Sequence, residues 1–549
     1  TFAGMDGRST NFTVDGANFN NNFGLNDGLP GGGSPISIDA IEEVQVVISP
    51  FDVRQTNFIG GGINAITKSG TNEFKGSAYA YHRNENMHGN VVDGEDLGAR
   101  NIDRYTTYGA TLGGPIIKNK LFFFVNAEYS STPTVVNRWH GSTDGVFNED
   151  THTSRTLLED LKGVSEYVKK EYNYDTGSWT DFPATNTNFK VLARVDWNIN
   201  DAHKLAVRYN YTLNQIWKMA NASSMDGGSR SSFARFSEYG MSYVNSLYSQ
   251  DNLATSVTLD LNSRFSDNLH NQFLATFSKL DDMRGTNSED FPFIDIRNDD
   301  GSSVLPYISL GYELFTWNNG VHNNNILVKD DLTYYAGNHK ITAGVSYEYQ
   351  MADNSYMRNG TGYYRFYSLQ DFYDKKAPEV VNLTYGYDGE ANPAARVQFH
   401  KAGIYAQDEW NVNEQFKLTY GLRLDGLFFD NKDLIRNNAI YDLHYGEGEC
   451  TLKRDADNKL VEDCKGKHID TGKWPTASIT VSPRVGFSWD ILGNNSLKLR
   501  GGTGFFSGRL PLVFFTNMPT NSAMVQSAAV VNGDTQAPDW YTGPTVDKD

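Results

Sequence analysis

Few residues in this chain are spaced for covalent or metal chemistry. Eleven histidines are scattered without metal-ligand spacing. No HExxH, GxSxG or Walker lysine motif occurs. The run Gly62 to Lys68 is superficially similar to a phosphate loop but lacks the glycine before the lysine. Asp455, Asp457 and Lys459 begin like a calcium loop, yet Leu460 stands at the sixth position, where a glycine is needed, so a solvated charged loop is preferred. Asp295 to Asp300 remains as a candidate for structural Ca²⁺ in a loop, against the alternative of a loop that binds only water. Cys450 and Cys464 sit in one polar loop, which fits an exported chain with a single loop-closing disulfide; two free thiols are the alternative. Trp139, Trp179, Trp217, Trp317 and Trp474 offer aromatic surface for a sugar or peptide, against simple packing within their loops. These residue types point to binding rather than to catalysis or metal work.

The elements that would position them are strands. No run of about 18 apolar residues exists, so no membrane helix is available. Segments of about ten residues instead alternate apolar and polar, as the strands of outer-membrane barrels do. From Phe416 to Phe429, Phe416, Leu418, Tyr420, Leu422, Leu424 and Phe428 share one face and Lys417, Thr419, Gly421, Arg423 and Asp425 the other. Lys340 to Gln350 and His203 to Leu213 repeat the pattern, and so does Lys190 to Ile199 with Leu192 as its exception. Thirteen such segments fall near 72–82, 104–114, 120–131, 188–199, 203–213, 252–262, 269–280, 326–336, 339–350, 399–410, 416–429, 483–490 and 496–507. The links between them alternate strictly between short and long, which predicts an up-and-down barrel with short periplasmic turns and long outer loops. A β-sandwich has no reason to obey that rule. The content of 31 Tyr, 32 Phe and 9 Trp fits aromatic girdles, and a net charge of −18 argues against a nucleic-acid partner. An odd strand count leaves a barrel unclosed and its end outside, so the reading expects further strands beyond this chain. One helix is predicted, over Ser154 to Tyr172 in a long loop, with Ser154 as its cap and packing on the rim as its role.

Ahead of the alternating segments, Ile41 to Ile48 reads as a β-branched strand, and Gly60-Gly61-Gly62 as a turn leading to a second apolar run, Ile63 to Thr67. Asp6 to Gly16 reads as a turn entering a short strand, with a second turn at Asp15-Gly16. Ala17 to Ser34 is rich in Asn and Gly and has no periodicity.

The order IEEVQVV…GGGINAITKSGTNEFKGSAY resembles the end of the plug domain and the first barrel strand of a TonB-dependent outer-membrane transporter. Glu42, Glu43, Val44, Val46, Gly61, Gly62, Ile63, Asn64, Ile66, Thr67 and Lys68 carry the likeness, and Ser49 to Phe58 departs from the usual pattern. With GGPIIKNKLFFFVNAEY, this variant is similar to the Oar-like branch rather than to the branch paired with starch-binding lipoproteins. YAQDEW, LTYGLRLD, SPRVGFSWD and LKLRGGTGFFSGR look like later strands of the same barrel. The resemblance implies an all-β fold: a transmembrane up-and-down antiparallel barrel of 22 strands, about 13 of them here, with an N-terminal plug in the lumen. Residues 1–70 would be the C-terminal part of the plug and 71–549 the N-terminal part of the barrel. The start of the plug, with its TonB-contacting box, would lie upstream.

It further implies a Gram-negative outer-membrane location and no enzymatic activity. The partners would be the TonB–ExbB–ExbD complex, outer-membrane lipid and lipopolysaccharide, with room for a surface lipoprotein. A plug loop containing Asn18, Phe19, Asn21 and Phe23 would help form the floor of the substrate site, and Gly60, Gly61 and Gly62 would form a plug turn packed against the wall. Energised uptake of a peptide, protein-derived or glycan cargo is the leading reading. A passive porin and an adhesin-like or secretion-associated barrel are the alternatives.

Overall fold

The computed structural model describes residues 10–23, 35–48, 51–57, 59, 61–96, 98, 103–225, 231, 233–298, 305–386, 390–442, 444–445, 452–454, 460–462, 467–521 and 524–532. Four short strands come first: β1 (Asn11–Val14), β2 (Ala17–Asn18), β3 (Ile41–Ile48) and β4 (Gly61–Thr67). They form one sheet in the order β2-β1-β4-β3, with β1 parallel to β4 and β3 antiparallel to it. Asp15 (φ 48°) and Gly16 (φ 84°) both turn left-handed, which closes the β1–β2 hairpin with the twist its strands require.

Thirteen long strands follow. They are β5 (Lys75–Arg83), β6 (Tyr105–Ile117), β7 (Leu121–Val135), β8 (Pro183–Asn198), β9 (His203–Lys218), β10 (Tyr248–Arg264) and β11 (Leu269–Gly285). Then come β12 (Asn319–Ala336), β13 (His339–Tyr356), β14 (Ala395–Asn411), β15 (Phe416–Phe429), β16 (Ser478–Asp490) and β17 (Lys498–Gly504). All thirteen expected segments are present, in one sheet where each strand pairs with its sequence neighbours. Every pairing is antiparallel. Most strands run further toward the long loops than the alternation predicts. β12, for example, starts at Asn319, where the run of asparagines hides the two-residue period.

The faces are inverted relative to a soluble sheet. Tyr209, Val257, Phe277, Ile326, Val345, Ile404 and Leu422 are exposed on the outside, while Arg208, Asn210, Thr258, Ser278, Glu348, Gln407 and Arg423 are buried inside. Water would penalise that outer belt, whereas lipid rewards it. The four-stranded sheet and its connections sit against the polar face. They touch Tyr79 on β5 at one end and Arg484 on β16 at the other. Laid flat, thirteen strands would span roughly 55–60 Å. A small body that reaches almost every strand therefore requires the large sheet to curve around it as a trough.

The long connections pack into a second body on the loop side. Met241–Ser242, Pro306–Leu310, Phe293–Arg297, Tyr363–Phe366, Val380–Gly386 and Gln526–Asn532 form a six-stranded sheet from separate loops. Helix α1 (Leu158–Tyr172) buries Leu161, Val164 and Val168 in its core. The helix begins later than predicted: Ser154 does not cap it but bonds the Glu238 carbonyl from the strand Thr153–Leu157, and Leu157 holds the cap position. Residues after β17 do not simply run outward. Arg509 donates to the Thr10 carbonyl at 2.7 Å, and Leu512 and Val513 bond the carbonyls of Asn22 and Phe23.

Candidate functional site

The site is the space between the inner body and the polar wall. Two kinds of contact bound it. The first is the segment Phe51 to Asn57, which leaves β3 and lies across β12–β17. Its main chain is held by wall side chains. Gln407 accepts from Val53 N at 3.0 Å, Arg423 donates to Val53 O at 3.3 Å, Arg484 to Asp52 O at 2.5 Å and Lys329 to Arg54 O at 3.2 Å. Lys401 donates to Thr56 and Asn57, and Asn57 in turn donates to Glu348 at 2.7 Å. Asp52 and Arg54 pair with each other at 2.6 Å, so the segment brings its own charge balance. Two apolar knobs fill places where the wall has no side chain. A Cβ on Gly421 would stand 2.6 Å from Val53, and one on Gly486 would stand 3.1 Å from the Phe51 ring. The wall glycines are therefore sockets rather than flexible points.

The second contact lies over β7–β11, under residues 10–23 and 35–41. Phe19, Phe12 and Ala17 pack with Phe124, Leu192, Ala254 and Leu280 of the wall. Leu192 was the exception to the alternation of its strand, and the structure explains it: it faces inward, beneath the inner body. Ser37 donates to Glu128 at 2.6 Å, beside the buried Lys190–Glu128 pair. Arg208 meets Asp15 at 3.2 Å, and Arg194 donates to the Thr67 carbonyl at 2.7 Å. Between the two contacts lies a cavity of about 460 Å³, lined by charges of both signs that include Asp15, Arg54, Arg208, Asp260, Lys329 and Glu348.

Of the residues expected to meet substrate, Asn18 lines this cavity. Its Oδ1 accepts from the main chain and side chain of Asn20, which folds residues 18–20 back onto β1. Phe19 is fully buried in the inner core, and Phe23 is buried with Leu512 and Val513. Asn21 is half-buried. The two phenylalanines thus offer no free surface, and their role here is packing. Gly61 and Gly62 are not a turn. They open β4 opposite Ile48 and Val47, because the ladder continues through them. A Cβ on Gly62 would meet only the Asn11 carbonyl at 3.8 Å, so close packing does not demand glycine there. Gly60, Cys450 and Cys464 lie outside the described residues.

Asp295 is not available for Ca²⁺; Asp299, Asp300, Asp455, Asp457 and Lys459 lie outside the described residues. Arg235 grips both oxygens of Asp295 at 2.9 and 2.6 Å, and Ser309 and Tyr363 donate to the same carboxylate. Burial alone would raise the Asp295 carboxyl, but Arg235 and these hydrogen bonds outweigh it and hold it below its usual value. Four of the five tryptophans pack in loops: Trp139 stacks on Phe147, Trp179 meets Tyr243 edge-on, Trp317 meets Tyr312, and Trp474 is buried against Phe515; Trp217 is instead on β9, half-buried against the loop-body core. The alternation did not mark the segment Phe51 to Asn57 or its glycine sockets. The signal that was present is the set of apolar residues at inward register positions, such as Leu192, Leu274, Leu280 and Leu327, which mark where the wall is covered or lines the cavity.

An apolar exterior, a polar lumen face and alternating link lengths are the properties of a membrane barrel wall. Residues 66–138 and 161–547 match the family model described as "Outer membrane beta barrel domain". The chain belongs to that outer-membrane β-barrel family. The TonB-dependent transporter Oar of Myxococcus xanthus is 27% identical over 216 residues, which cover 37% of this chain and 18% of Oar. Among solved structures, the outer-membrane transporter YddB from Escherichia coli matches with a TM-score of 0.57 at 12% identity, covering 95% of this chain and 56% of YddB. That likeness is one of fold. The chain spans less than two thirds of the length of either relative. The barrel family places this protein in the outer membrane, and the thirteen strands are barrel wall.

Proposed function

We propose that this chain is the wall and plug of a TonB-dependent transporter that takes up cargo from the loop side. The observation that carries the reading is the inner body: the described part of residues 10–67 lies against the polar face from β5 to β16, with cavities of about 460 and 660 Å³ between body and wall. A large cargo that follows this polar face has to displace the inner body. Movement has to break many polar contacts at once, which calls for an external energy source. The TonB–ExbB–ExbD complex, coupled to the inner-membrane potential, is the partner that the likeness to Oar suggests for that step. The protein itself contributes a difference in affinity between closed and open plug states, not covalent chemistry.

Planar-bilayer conductance of the full-length protein tests this. The intact protein should be nearly silent, and a variant lacking residues 10–67 should conduct steadily. Steady conductance of the intact protein would favour a passive porin instead. A second reading, an adhesin-like or secretion-associated barrel, draws on the loop body, whose own sheet and core are larger than a gate needs. Uptake that continues after TonB is deleted would favour that second reading.

A further inference from the structure

The inner body is held unevenly, and the weak side has a direction. Across β9–β13 one row of register partners reads Asn210, Ser256, Ser278, Asn325 and Gln350. All five are buried and none carries a charge. The row one step nearer the short turns reads Arg208, Thr258, Thr276, Leu327 and Glu348, and three of its members line the cavity. One further step down, Asp260, Leu274, Lys329 and Ser346 line it too. Steps along a strand are about 7 Å apart, so the neutral row leads directly into the charged cavity.

Several polar atoms on this part of the wall are buried without a hydrogen-bond partner: Asn210 Oδ1, Thr276 Oγ1, Ser278 Oγ, Asn323 Oδ1 and Asn325 Oδ1. One register step toward the long loops, Phe19 and Ala17 pack with Ala254 and Leu280, while the Asn210 and Thr212 side chains donate to the Pro35 carbonyl at 3.3 and 2.7 Å. Apolar packing beside orphaned hydroxyls and amides is a poor match. On the other side, among the described residues of β14–β17, Asp408 Oδ1, Ser482 Oγ and Arg484 Nε are orphaned, while four main-chain groups of residues 52–54 are bonded to the wall.

We propose that cargo crosses along this one seam, between residues 10–23 and the inward faces of β10–β12, while the segment Phe51 to Asn57 stays docked as the hinge. The inference rests on the plugged-transporter reading above. Opening the seam gives the orphaned groups partners, from water or from cargo, and exposes a track of alternating donors and acceptors. Such a track suits an extended, uncharged, amide-rich chain, namely a peptide main chain. At its lower end the cavity holds both signs of charge and imposes no strong selection by net charge.

Single-cysteine variants of the full-length protein in intact cells test the route, with membrane-impermeant fluorescein maleimide as the probe. Ser278→Cys and Asn325→Cys report the seam, and Ser482→Cys reports the docked side. Energised cells should label the seam positions severalfold faster than cells treated with a protonophore, with no such change on the docked side. An energy-dependent rise on the docked side alone would overturn the route but leave energised transport standing. No energy dependence at any position would overturn both. A second variant sharpens the outcome: Ser278→Ala removes an orphaned hydroxyl, closes the seam more firmly and should slow labelling at Asn325→Cys. Unchanged or faster labelling there counts against the seam.

Discussion

The same small body meets the same wall in two ways. Over β12–β17 it is pinned: main-chain groups of Asp52, Val53 and Arg54 are bonded to Gln407, Arg423, Arg484 and Lys329, and Phe51 and Val53 fill glycine sockets. Over β10–β12 it packs on Ala254 and Leu280, next to a row of small hydroxyls and amides, several of them without partners. Orphaned polar groups cost about 1–3 kcal/mol each, whereas a made hydrogen bond gains about 1 kcal/mol. The docked side is therefore optimised and the seam is not. Unevenness of this kind gives a removable body a preferred way to move.

The largest expected effect comes from breaking the pinned side. Arg423 is almost fully buried; it grips Asp425 with two nitrogens, bonds Ser346 and Val53 O, and lies 4.7 Å from the centre of the Tyr405 ring. Arg423→Ala strands a buried carboxylate, at a cost of about 3–5 kcal/mol. The urea midpoint for protease cutting of residues 10–67 should fall sharply, and bilayer conductance should rise. An unchanged midpoint would mean the segment is not held by this arginine. A change of similar size in the loop body should leave both contacts alone. Asp295→Asn leaves Arg235 buried without its counter-charge and should loosen the loop sheet, by about 3 kcal/mol, without altering the cutting of residues 10–67.

The pH dependence of that loop pair has a definite sign. The Asp295 carboxyl is held below its usual value in the folded state, so its contribution to stability is complete above the unfolded carboxylate value, about 4. It is lost as pH falls through the depressed folded value. Loop-body protection from protease should therefore hold through mild acid and fail only in strong acid, and Asp295→Asn should remove this acid dependence.

A smaller effect tests the sockets. Gly486→Ala would place a methyl 3.1 Å from the Phe51 ring, with only that flexible side chain in its way. Overpacking of this kind costs about 1–3 kcal/mol. Phe51→Leu should partly rescue it, and a double-mutant cycle with no coupling would separate Phe51 from the socket.

Much of this architecture could be read from the chain. The two-residue period placed all thirteen strands, because a lipid-facing belt imposes it on every strand. The hairpin at Asp15-Gly16 was legible because only a few residue types tolerate two left-handed turns in succession. The site was less legible. Phe19 and Phe23 sit in an Asn- and Gly-rich stretch that looks like a surface loop, yet each is buried by residues hundreds of positions away or by the wall itself. Gly421 and Gly486 look like ordinary inward positions, and only the placement of Val53 and Phe51 makes them sockets. Local pattern records which face a residue takes, not what covers that face.

The smallest predicted change is also the one that bears most directly on the comparison. Ser278 is buried, and its hydroxyl has no partner. Replacing it with alanine removes a hydroxyl that makes no bond, so the closed state loses a penalty and no bond. Ser278→Ala should raise the urea midpoint for cutting of residues 10–67, by about 1 kcal/mol in stability. On the docked side the same kind of truncation has the opposite sign, because Gln407→Ala removes a bond that Val53 N is making at 3.0 Å. Opposite signs for these two truncations would mean that the wall is built to release one side of the body before the other. Equal signs would mean that the orphaned atoms are bridged by ordered water, and the two sides would then hold the body alike.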